Sequence, residues 1–248
     1  MLKMKIGVLG TGRMGKAIDV AVAQTAHTII FRCDDEHLLT PELATQADVI
    51  IDFTIADCLQ SNLEIALQND VPFVTGTTGW DAQRGAMSEL VQEYNGSFLH
   101  AANFSIGVAL FRMLASQAAR LFDAVEKYDF GIHEIHHTGK ADSPSGTAIL
   151  LGDTMLDKLS SKTRLVYGNS KGKIARDALQ ISSQRVGAIP GTHRIFIDST
   201  VDSIELTHTA HGREGFAAGS IWAAEWLIGK TGFFTLDDML ADILPKIE

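Results

Sequence analysis

Short apolar runs alternate with longer amphipathic stretches through the amino-terminal part of the chain. The apolar runs have the length of β-strands and lie at residues 5–9, 28–31, 48–53, 71–76 and 97–101. The stretches between them place apolar residues at helical spacing, as Ile18, Ala21 and Val22 do after the first run. Strands that alternate with helices are typical of a parallel sheet with right-handed crossovers. We therefore predict a Rossmann-like, doubly wound α/β domain.

The pattern changes beyond Phe104, where strand-like runs follow one another with few helices between them. A helical run at 108–122 precedes strand patterns at residues 128–134, 180–182, 193–197 and 203–208. This order predicts a second, α+β domain with a mixed or antiparallel sheet. Residues 160–175 are rich in Ser, Lys, Gly and Thr, which predicts a surface loop.

A final helical pattern covers residues 216–228 and ends at Gly229, a plausible helix cap. The organisation therefore predicts one domain formed by residues 1–103 and 214–248. The second domain, residues 104–213, is inserted between these two segments.

Composition excludes several classes of protein. Of the 248 residues, 46% are hydrophobic and 21% charged, as in ordinary soluble globular proteins. There is no apolar run of membrane-spanning length, and the first strand-like run follows Met1 closely, so we expect a cytoplasmic protein without a membrane partner. Cys33 and Cys58 lack zinc-type spacing, and we expect no metal site. The net charge of −9 argues against nucleic acid as a partner. An acidic chain that binds an anion must gather positive charge locally, as residues 136–140 do.

A glycine-rich loop, Gly10-Thr11-Gly12-Arg13-Met14-Gly15, follows the first predicted strand and opens a helix. This spacing suits a tight turn, close approach of a pyrophosphate and close helix–strand packing, whereas the alternative is a purely structural glycine turn. Asp34 ends the next strand, 19 positions after Gly15, where its carboxylate can accept a hydrogen bond from a ribose hydroxyl. The loop predicts dinucleotide binding, and Asp34 favours NADH. Arg13 and Arg32 leave NADPH open.

Two further strand ends carry small or hydroxylated residues. In an open α/β sheet, ligands bind beyond the carboxyl ends of the strands. Residues 52–54 and Gly76-Thr77-Thr78-Gly79 lie at such ends, so they are candidates for contact with the nicotinamide and its ribose, although the second is also an ordinary turn sequence. Ala101-Ala102-Asn103-Phe104 ends the last strand and is a candidate hinge and nicotinamide wall.

Residues 134–147 carry the most specific chemistry. Ser143 is predicted to cap a helix that has Pro144 at its first position, which leaves the N–H groups of Gly146 and Thr147 available to an anion. Lys140 lies just ahead of this helix start. The segment predicts a pocket for a small anion that also needs a proton, against the alternative of a plain polar loop.

The two adjacent histidines of this segment are expected to have different jobs. His136 and His137 point to opposite faces in an extended backbone, so one metal is not expected to bind both. His136 and Lys140 can converge across the turn between them, and both are able to donate a proton near neutral pH. Arg213 can reach a substrate carboxylate or simply lie at the surface.

The chain resembles the 4-hydroxy-tetrahydrodipicolinate (dihydrodipicolinate) reductases of lysine biosynthesis. The resemblance covers most of the chain, in family order, and is carried by Gly12-Arg13-Met14-Gly15, Asp52-Phe53-Thr54, Gly76-Thr77-Thr78-Gly79, residues 102–108, Glu134-x-His136-His137-x-x-Lys140-x-Asp142-x-Pro144-Ser145-Gly146-Thr147 and Arg213-x-x-Phe216-Ala217-x-Gly219. The block at 134–147 is highly specific, and the nucleotide loop is not.

The resemblance implies a reaction and a set of site residues. It implies reduction of the cyclic dicarboxylate 4-hydroxy-tetrahydrodipicolinate to tetrahydrodipicolinate with NADH or NADPH, by a homotetramer built through the sheet of the second domain. His136 matches the proton donor/acceptor and Lys140 a second proton donor. His137, Gly146 and Thr147 match substrate contacts. Cofactor contacts are implied for Leu9, Gly10, Thr11, Gly12, Arg13, Met14, Asp34, Gly76, Thr77, Thr78, Ala101, Ala102, Asn103 and Phe104.

The chain also departs from the family pattern. Ser143 replaces an alanine found in many members, and residues 160–195 agree least. Asp35 lies where some members have an arginine for the 2′-phosphate of NADPH. Two other functions stay open at this point. One is a related amino-acid dehydrogenase, and the other is a redox sensor that binds NAD without turnover.

Overall fold

The computed structural model describes residues 3–125, 127–168, 170 and 172–245, and the chain divides into two compact units. Unit 1 consists of residues 1–106 and 213–248, and unit 2 consists of residues 107–212. Across the described part of the chain, no helix combines the length and apolar character that crossing a bilayer requires.

Unit 1 is built on a parallel sheet of six strands, as predicted for a doubly wound fold. Its strands are β1 (Lys5–Leu9), β2 (Thr28–Cys33), β3 (Val49–Asp52), β4 (Phe73–Thr75), β5 (Ser97–His100) and β11 (Gly232–Thr235). Their order in the sheet is β11-β5-β4-β3-β1-β2, and every neighbouring pair is parallel. The helices are α1 (Arg13–Val22), α2 (Pro41–Ala44), α3 (Ala56–Gln68), α4 (Arg84–Glu93), α7 (Glu214–Leu227) and α8 (Leu236–Ile243).

The central strands of unit 1 are apolar on both faces because helices cover both. All four residues of β3 are buried, and Ile50, Phe73 and Phe98 lie in one continuous core with Leu63 of α3. Buried parallel strands of this kind lack the polar alternation of a sheet that is open on one side.

Unit 2 contains a mixed sheet of five strands, which confirms the predicted mixed or antiparallel sheet. Its strands are β6 (Asp129–His136), β7 (Arg164–Tyr167), β8 (Ala178–Arg185), β9 (Thr192–Asp198) and β10 (Ser203–Thr209). Its helices are α5 (Ile106–Asp123) and α6 (Gly146–Leu156), and α5 begins one residue before the unit itself. The order is β10-β9-β6-β8-β7, with β6 antiparallel to β9 and parallel to β8. Phe111, Leu151, Ile181 and Ile195 belong to its core.

The structure corrects the prediction of a loop at 160–175. Residues Arg164–Tyr167 form β7, which pairs in parallel with β8 from Arg164 opposite Ala178 to Tyr167 opposite Ile181. This strand is only four residues long and has polar residues on both sides, so its sequence resembles a loop. The strand with which it pairs, β8, begins only at Ala178, and the residues next to β7 do not indicate that pairing. The predictions also omitted β11, which is four residues long and starts at a glycine with φ of +142°.

His100 lies in an aromatic cluster of unit 1, and this creates a sensitivity to acid. Its ring centroid is 5.0 Å from that of Trp80 and 5.2 Å from that of Phe233. Burial, assisted by the charge of Arg84, lowers the pKa of His100 to about 4. A histidine whose folded-state pKa is depressed binds protons better when unfolded. Its contribution to folding is therefore complete above pH 6.5 and is lost as the pH falls towards 4.

We expect His100→Leu to reduce the acid sensitivity of folding. Between pH 7 and pH 4.5 the wild-type protein should lose about 2 kcal/mol of unfolding free energy through this group, and the variant should lose that much less. Urea unfolding at several pH values, followed by the fluorescence of the three tryptophans, all of which belong to unit 1, measures the difference. Equal pH slopes for the two proteins would contradict the assignment.

Candidate functional site

The loops that follow β1 and β3 meet where the strand order of unit 1 reverses. The chain leaves β1 to form β2 on one side and returns to place β3 on the other. Gly10 follows β1 with φ of +96°, and a Cβ at this position would lie 2.4 Å from the carbonyl oxygen of Phe53. Glycine is therefore required here. A crevice at such a reversal is the usual place for a ligand in an open α/β sheet.

The start of α1 has the features of a phosphate site. Gly12 is the N-cap, no side chain caps the helix, and its first turn contains no acidic residue. The first N–H groups of α1 thus point out of the helix without a side-chain acceptor, at the positive end of the helix dipole. A Cβ at Gly15 would lie 2.1 Å from the carbonyl oxygen of Gly10, so this glycine permits the close packing of loop and helix. These residues fit a pyrophosphate group.

Asp34, directly after β2, is held as a carboxylate. Its Oδ1 accepts hydrogen bonds from the backbone N–H groups of His37 at 3.0 Å and Glu36 at 3.1 Å, and contacts Nδ1 of His37 at 3.2 Å. The His37 and Glu36 amides hold the pKa of Asp34 below its usual value. All three contacts end on Oδ1, and within the described residues no hydrogen bond reaches Oδ2. That oxygen is the acceptor available to a ribose hydroxyl.

A fully buried carboxylate, Asp52 at the end of β3, organises the loop after β4. Asp52 accepts hydrogen bonds from the hydroxyls of Thr54 at 2.7 Å, Thr75 at 2.7 Å and Thr77 at 2.8 Å. Burial raises the pKa of Asp52, although the three hydroxyls oppose that rise. The backbone carbonyl of Thr77 also accepts from the indole N–H of Trp80 at 2.7 Å. The hydroxyls and the indole together fix the backbone of residues 75–77.

Other predicted cofactor residues differ in what they expose. Thr11, Arg13 and Thr78 are exposed, whereas Leu9 is 1% exposed at the end of β1. The Phe104 side chain is also 1% exposed, so a contact with the cofactor is left to its backbone. The remaining predicted residues lie in α1 or next to the ends of β4 and β5. Met14 is half-buried in the first turn of α1, and Ala102 is exposed. Gly76 donates its N–H to the Asp52 carbonyl at 2.9 Å, Ala101 donates to the Thr75 carbonyl at 3.1 Å, and the side-chain oxygen of Asn103 accepts from the N–H of Ser105 at 2.8 Å.

In unit 2, strand β6 carries two polar residues on its buried face. The alternation that buries Phe130 and Ile132 continues to Glu134, which is 0% exposed, and to His136, which is 7% exposed. Nδ1 of His136 forms a short hydrogen bond with Oε2 of Glu134, and the guanidinium of Arg185 lies 2.9 Å from Oε1. Burial lowers the pKa of His136, while the hydrogen bond and charge of Glu134 oppose that effect.

The helix start after β6 differs from the prediction. Ser145, not Ser143, is the N-cap, because its backbone is extended and its hydroxyl accepts from the N–H of Ala148 at 3.2 Å. Helix α6 begins at Gly146, so Pro144 lies before the cap and not in the first turn. Gly146 and Thr147 are the first two helical residues, and their N–H groups therefore still face the start of the helix.

Lys140 lies in the loop between β6 and α6 and is paired with Asp142. Its ammonium nitrogen is 2.7 Å from Oδ1 and 2.9 Å from Oδ2 of that carboxylate. This ion pair, with help from the N–H of Gly146, holds the pKa of Asp142 below its usual value. Among the described residues no hydrogen bond joins Lys140 to His136, but the charge of Lys140 contributes to lowering the pKa of His136. His137 is half-buried, and its carbonyl accepts from the N–H of Lys140 at 3.1 Å.

Sequence reasoning missed several residues around His136. His193 was given no function, yet its ring centroid lies 5.2 Å from that of His136, and its Nε2 lies 3.1 Å from the hydroxyl of Ser145. Gly191 packs on the same imidazole, since a Cβ there would lie 2.8 Å from Nε2 of His136. The strand alternation identified neither residue, because both reach the site through the pairing of β9 with β6.

Comparison with known proteins identifies the family. Residues 4–104 match the pattern described as "Dihydrodipicolinate reductase, N-terminus", and residues 107–240 match "Dihydrodipicolinate reductase, C-terminus". The chain belongs to this family.

Relatives from bacteria and archaea support the assignment over nearly the full length. A 4-hydroxy-tetrahydrodipicolinate reductase of Christiangramia forsetii is 38% identical over 243 residues, which cover 98% of this chain and 100% of the relative. The reductase of Clostridium novyi is 36% identical, covering 93% of this chain and 95% of the relative. The reductase of Methanosarcina barkeri is 35% identical, covering 84% of this chain and 78% of the relative.

Solved structures share the fold. The dipicolinate-bound dihydrodipicolinate reductase of Paenisporosarcina sp. TG-14 has a TM-score of 0.79 at 23% identity, covering 98% of this chain and 100% of that one. An engineered D-amino acid dehydrogenase bound to NADP⁺ has a TM-score of 0.53 at 12% identity, covering 98% of this chain and 100% of that one. The family and the glycine loop together indicate a pyridine nucleotide cofactor.

The Asp52 network generates a prediction about cofactor affinity. Asp52→Asn replaces one acceptor oxygen by an NH₂ donor, so the three threonine hydroxyls that donate to two carboxylate oxygens are left with one. We expect the loop at 76–78 to lose its fixed geometry and the Kd for NADH to rise about 10-fold, which corresponds to about 1.4 kcal/mol. Fluorescence titration with NADH measures the change.

Asp48→Asn is the matched control for Asp52→Asn. It makes the same change at an exposed carboxylate just before β3, at the opposite end of that strand from Asp52. Its Kd for NADH should change less than threefold. An Asp52→Asn protein that binds NADH as tightly as the wild type would show that the network does not support the cofactor loop.

Proposed function

We propose that this protein reduces 4-hydroxy-tetrahydrodipicolinate to tetrahydrodipicolinate with a reduced pyridine nucleotide, as a step in diaminopimelate and lysine biosynthesis. The observation that carries this proposal is the buried Glu134–His136 pair, beside the Lys140 ammonium and the start of α6, in a chain of the dihydrodipicolinate reductase family. A proton donor, a cation and a helix start together suit a dicarboxylate that accepts a proton.

Unit 1 is assigned the cofactor. The first turn of α1 holds the pyrophosphate through backbone N–H groups, Asp34 accepts from the ribose, and residues 76–78 and 101–104 line the nicotinamide end. The reduced nicotinamide, when bound, supplies the two electrons of the reduction as a hydride. The residues proposed for these contacts are those implied by the family resemblance.

Unit 2 is assigned the substrate. The N–H groups of Gly146 and Thr147 are proposed to bind one carboxylate, with His137 beside them, and Lys140 is proposed to bind or protonate the ligand. To bind a carboxylate, Lys140 and the N–H of Gly146 must exchange Asp142 for the ligand. Because the pair is partly exposed, with Asp142 at 56% side-chain exposure, that exchange costs little.

His136 is proposed to deliver the proton that accompanies the hydride, after the 4-hydroxyl of the substrate has left as water. Burial keeps its imidazole largely neutral in the free protein, since its pKa is lowered. A doubly negative ligand nearby favours the imidazolium form, so the proton is taken up when the substrate binds. A binding protein without turnover would need no acid at all.

The test is the turnover of His136→Gln and Lys140→Ala with 4-hydroxy-tetrahydrodipicolinate and NADH. We expect each variant to lower kcat about 100-fold or more, because general acid catalysis contributes about this much. The Kd for NADH should stay within twofold of the wild-type value. Stopped-flow absorbance of NADH and fluorescence titration give the two readouts.

Two matched controls separate the chemistry from general damage to unit 2. His133→Gln changes a histidine on the same strand that faces the opposite side and contacts Ser182 at 2.8 Å. Lys158→Ala removes an exposed lysine just after α6. Both should keep wild-type kcat. A wild-type protein inactive on this substrate but active on an amino acid would favour the amino-acid dehydrogenase, and NADH binding without any oxidation would favour the sensor.

We further propose that the protein prefers NADH to NADPH. Asp34 is held as a carboxylate, and Asp35 beside it is exposed, so the end of β2 is electronegative. The Arg32 guanidinium is bound to Asp19 at 2.6 Å and is less available to a 2′-phosphate. Arg13 is exposed and is the cation that leaves some NADPH use possible.

Asp35→Arg tests this preference. It removes one negative charge and adds a positive one where some family members carry an arginine, so we expect the ratio of kcat/KM for NADPH to that for NADH to rise about 10-fold. Glu89→Arg, the same change of charge on exposed α4, is the control and should leave the ratio unchanged. An unchanged ratio in Asp35→Arg would refute the role of this position.

A homotetramer built through the sheet of unit 2 completes the proposal. The core helices α5 and α6 pack on one face of this sheet, where Phe130 and Ile195 are buried. The other face presents Phe196, at 38% exposure, and the Arg194–Glu205 pair. Such a mixed face suits isologous contact between identical subunits. The cytoplasmic location expected from the sequence stays a prediction.

A further inference from the structure

Glu134 is enclosed by charged and polar groups from three elements. Arg185 of β8 approaches Oε1 to 2.9 Å, and the backbone N–H of Ser145 at the start of α6 donates to the same oxygen at 3.4 Å. The other oxygen, Oε2, receives the short hydrogen bond from Nδ1 of His136. Each oxygen of the buried carboxylate thus has a defined partner.

These partners keep Glu134 ionised. Burial favours the neutral acid, but the Ser183 hydroxyl, the Arg185 guanidinium and the His136 imidazole around it overcome this effect and hold the pKa of Glu134 below its usual value. An ionised carboxylate can only accept hydrogen bonds. The hydrogen between Glu134 and His136 must therefore belong to Nδ1 of the imidazole.

The protonation of Nδ1 determines what the other ring nitrogen can do. In the neutral imidazole only one nitrogen carries hydrogen, so Nε2 becomes the basic atom, and in the imidazolium Nε2 carries the proton that can be transferred. Nε2 lies against Gly191, where a Cβ would approach it to 2.8 Å. A side chain on that residue would crowd this nitrogen, and glycine leaves it open.

The charges that face His136 are mostly positive. Lys140 from the loop and Arg185 from β8 both disfavour the imidazolium, and His193 of β9 lies edge-on to the ring, bound to Ser145 of α6. Asp142 is already paired with Lys140. Glu134 is therefore the negative group that stabilises the imidazolium form of His136.

Arg185 links this pair to the loop that carries Lys140. One nitrogen of its guanidinium, Nη1, is the one near Glu134, and the other, Nη2, donates to the backbone carbonyl of Asp142 at 2.6 Å. A single planar side chain thus sets the position of Glu134 relative to the loop that carries Lys140.

We propose that Glu134 is a positioning residue that fixes His136 with hydrogen on Nδ1 and the transferable proton on Nε2, and that Arg185 holds Glu134 in this role. The catalytic consequence rests on the proposed function, in which His136 supplies a proton. The tautomer itself does not depend on that function and can be measured without substrate.

The first experiment measures the tautomer by ¹⁵N NMR of protein labelled at histidine, with His136→Gln used to assign the signals. The wild-type spectrum should show His136 protonated at Nδ1 near neutral pH. In Glu134→Gln the single amide oxygen is claimed by Arg185, so the NH₂ group faces Nδ1 and the hydrogen should move to Nε2. A wild-type ring protonated at Nε2, or an unchanged tautomer in a folded Glu134→Gln protein, would overturn the proposal.

The second experiment measures the pH dependence of kcat/KM for the substrate. The activity of an acid falls as the pH rises through its pKa, and loss of the Glu134 charge should move this descent about one pH unit lower. The kcat of Glu134→Gln should fall about 100-fold, and the Kd for NADH should stay within twofold. Glu134→Asp, which keeps the charge, should restore part of the shift.

Asp129→Asn is the matched control, since it removes a carboxylate from the opposite end of the same strand. Its pH profile should match that of the wild type. If Glu134→Gln proves unfolded by thermal melting, the wild-type tautomer and the Glu134→Asp profile decide the question. A wild-type protein inactive on the substrate would reject the proposed function alone, whereas an active wild type with an unchanged Glu134→Gln tautomer and profile would reject only this inference.

Discussion

The buried charge of Glu134 is the constraint around which the candidate site of unit 2 is arranged. A carboxylate with no exposure is costly unless it is neutralised and its oxygens accept hydrogen bonds. Arg185, His136 and the N–H of Ser145 meet these needs from β8, β6 and the start of α6. Loss of one partner would leave the charge uncompensated, so the elements that supply the partners are held together around it.

Unit 1 uses a buried carboxylate in a different way. Asp52 ends a central strand, and its partners are the hydroxyls of three threonines and not cations. Burial accordingly raises the pKa of Asp52, whereas the pKa of Glu134 is lowered. Neutral hydroxyl partners can hold a loop in place without creating a strong electric field in the site. A cation and an imidazole around Glu134 create such a field, which is what proton transfer requires.

The sequence predicted what depends on local periodicity and missed what depends on distant pairing. The alternation in β6 and the glycine spacing after β1 are visible in neighbouring residues, and both strands form as expected. Strand β7 was not predicted because its partner β8 lies beyond a polar segment. The helix cap was predicted at Ser143 because Ser-Pro can supply an N-cap and a first helical residue. The structure shows instead that the Ser145 hydroxyl accepts from the N–H of Ala148.

The residues that pack around His136, namely His193 and Gly191, were also missed because their position depends on pairing between distant strands. His193 and Gly191 reach His136 through the antiparallel pairing of β6 with β9, in which Glu134 lies opposite His193. Nothing within the 134–147 segment indicates that register. The resemblance to a family implies the roles of His136 and Lys140, but the side chains that support those roles, such as His193 and Arg185, lie more than 40 positions away along the chain.

The two ion pairs of the site differ in a way that suits a substrate that must enter and leave. The Lys140–Asp142 pair is partly exposed, at 24% and 56% side-chain exposure, so solvent screens it and its net contribution is below about 1 kcal/mol. A ligand carboxylate can therefore replace Asp142 at the Lys140 ammonium with little loss. The Arg185–Glu134 pair, at 19% and 0%, is shielded from solvent and costly to break. In the proposed function, binding exchanges the Lys140–Asp142 pair, while the Arg185–Glu134 pair keeps the imidazole of His136 oriented.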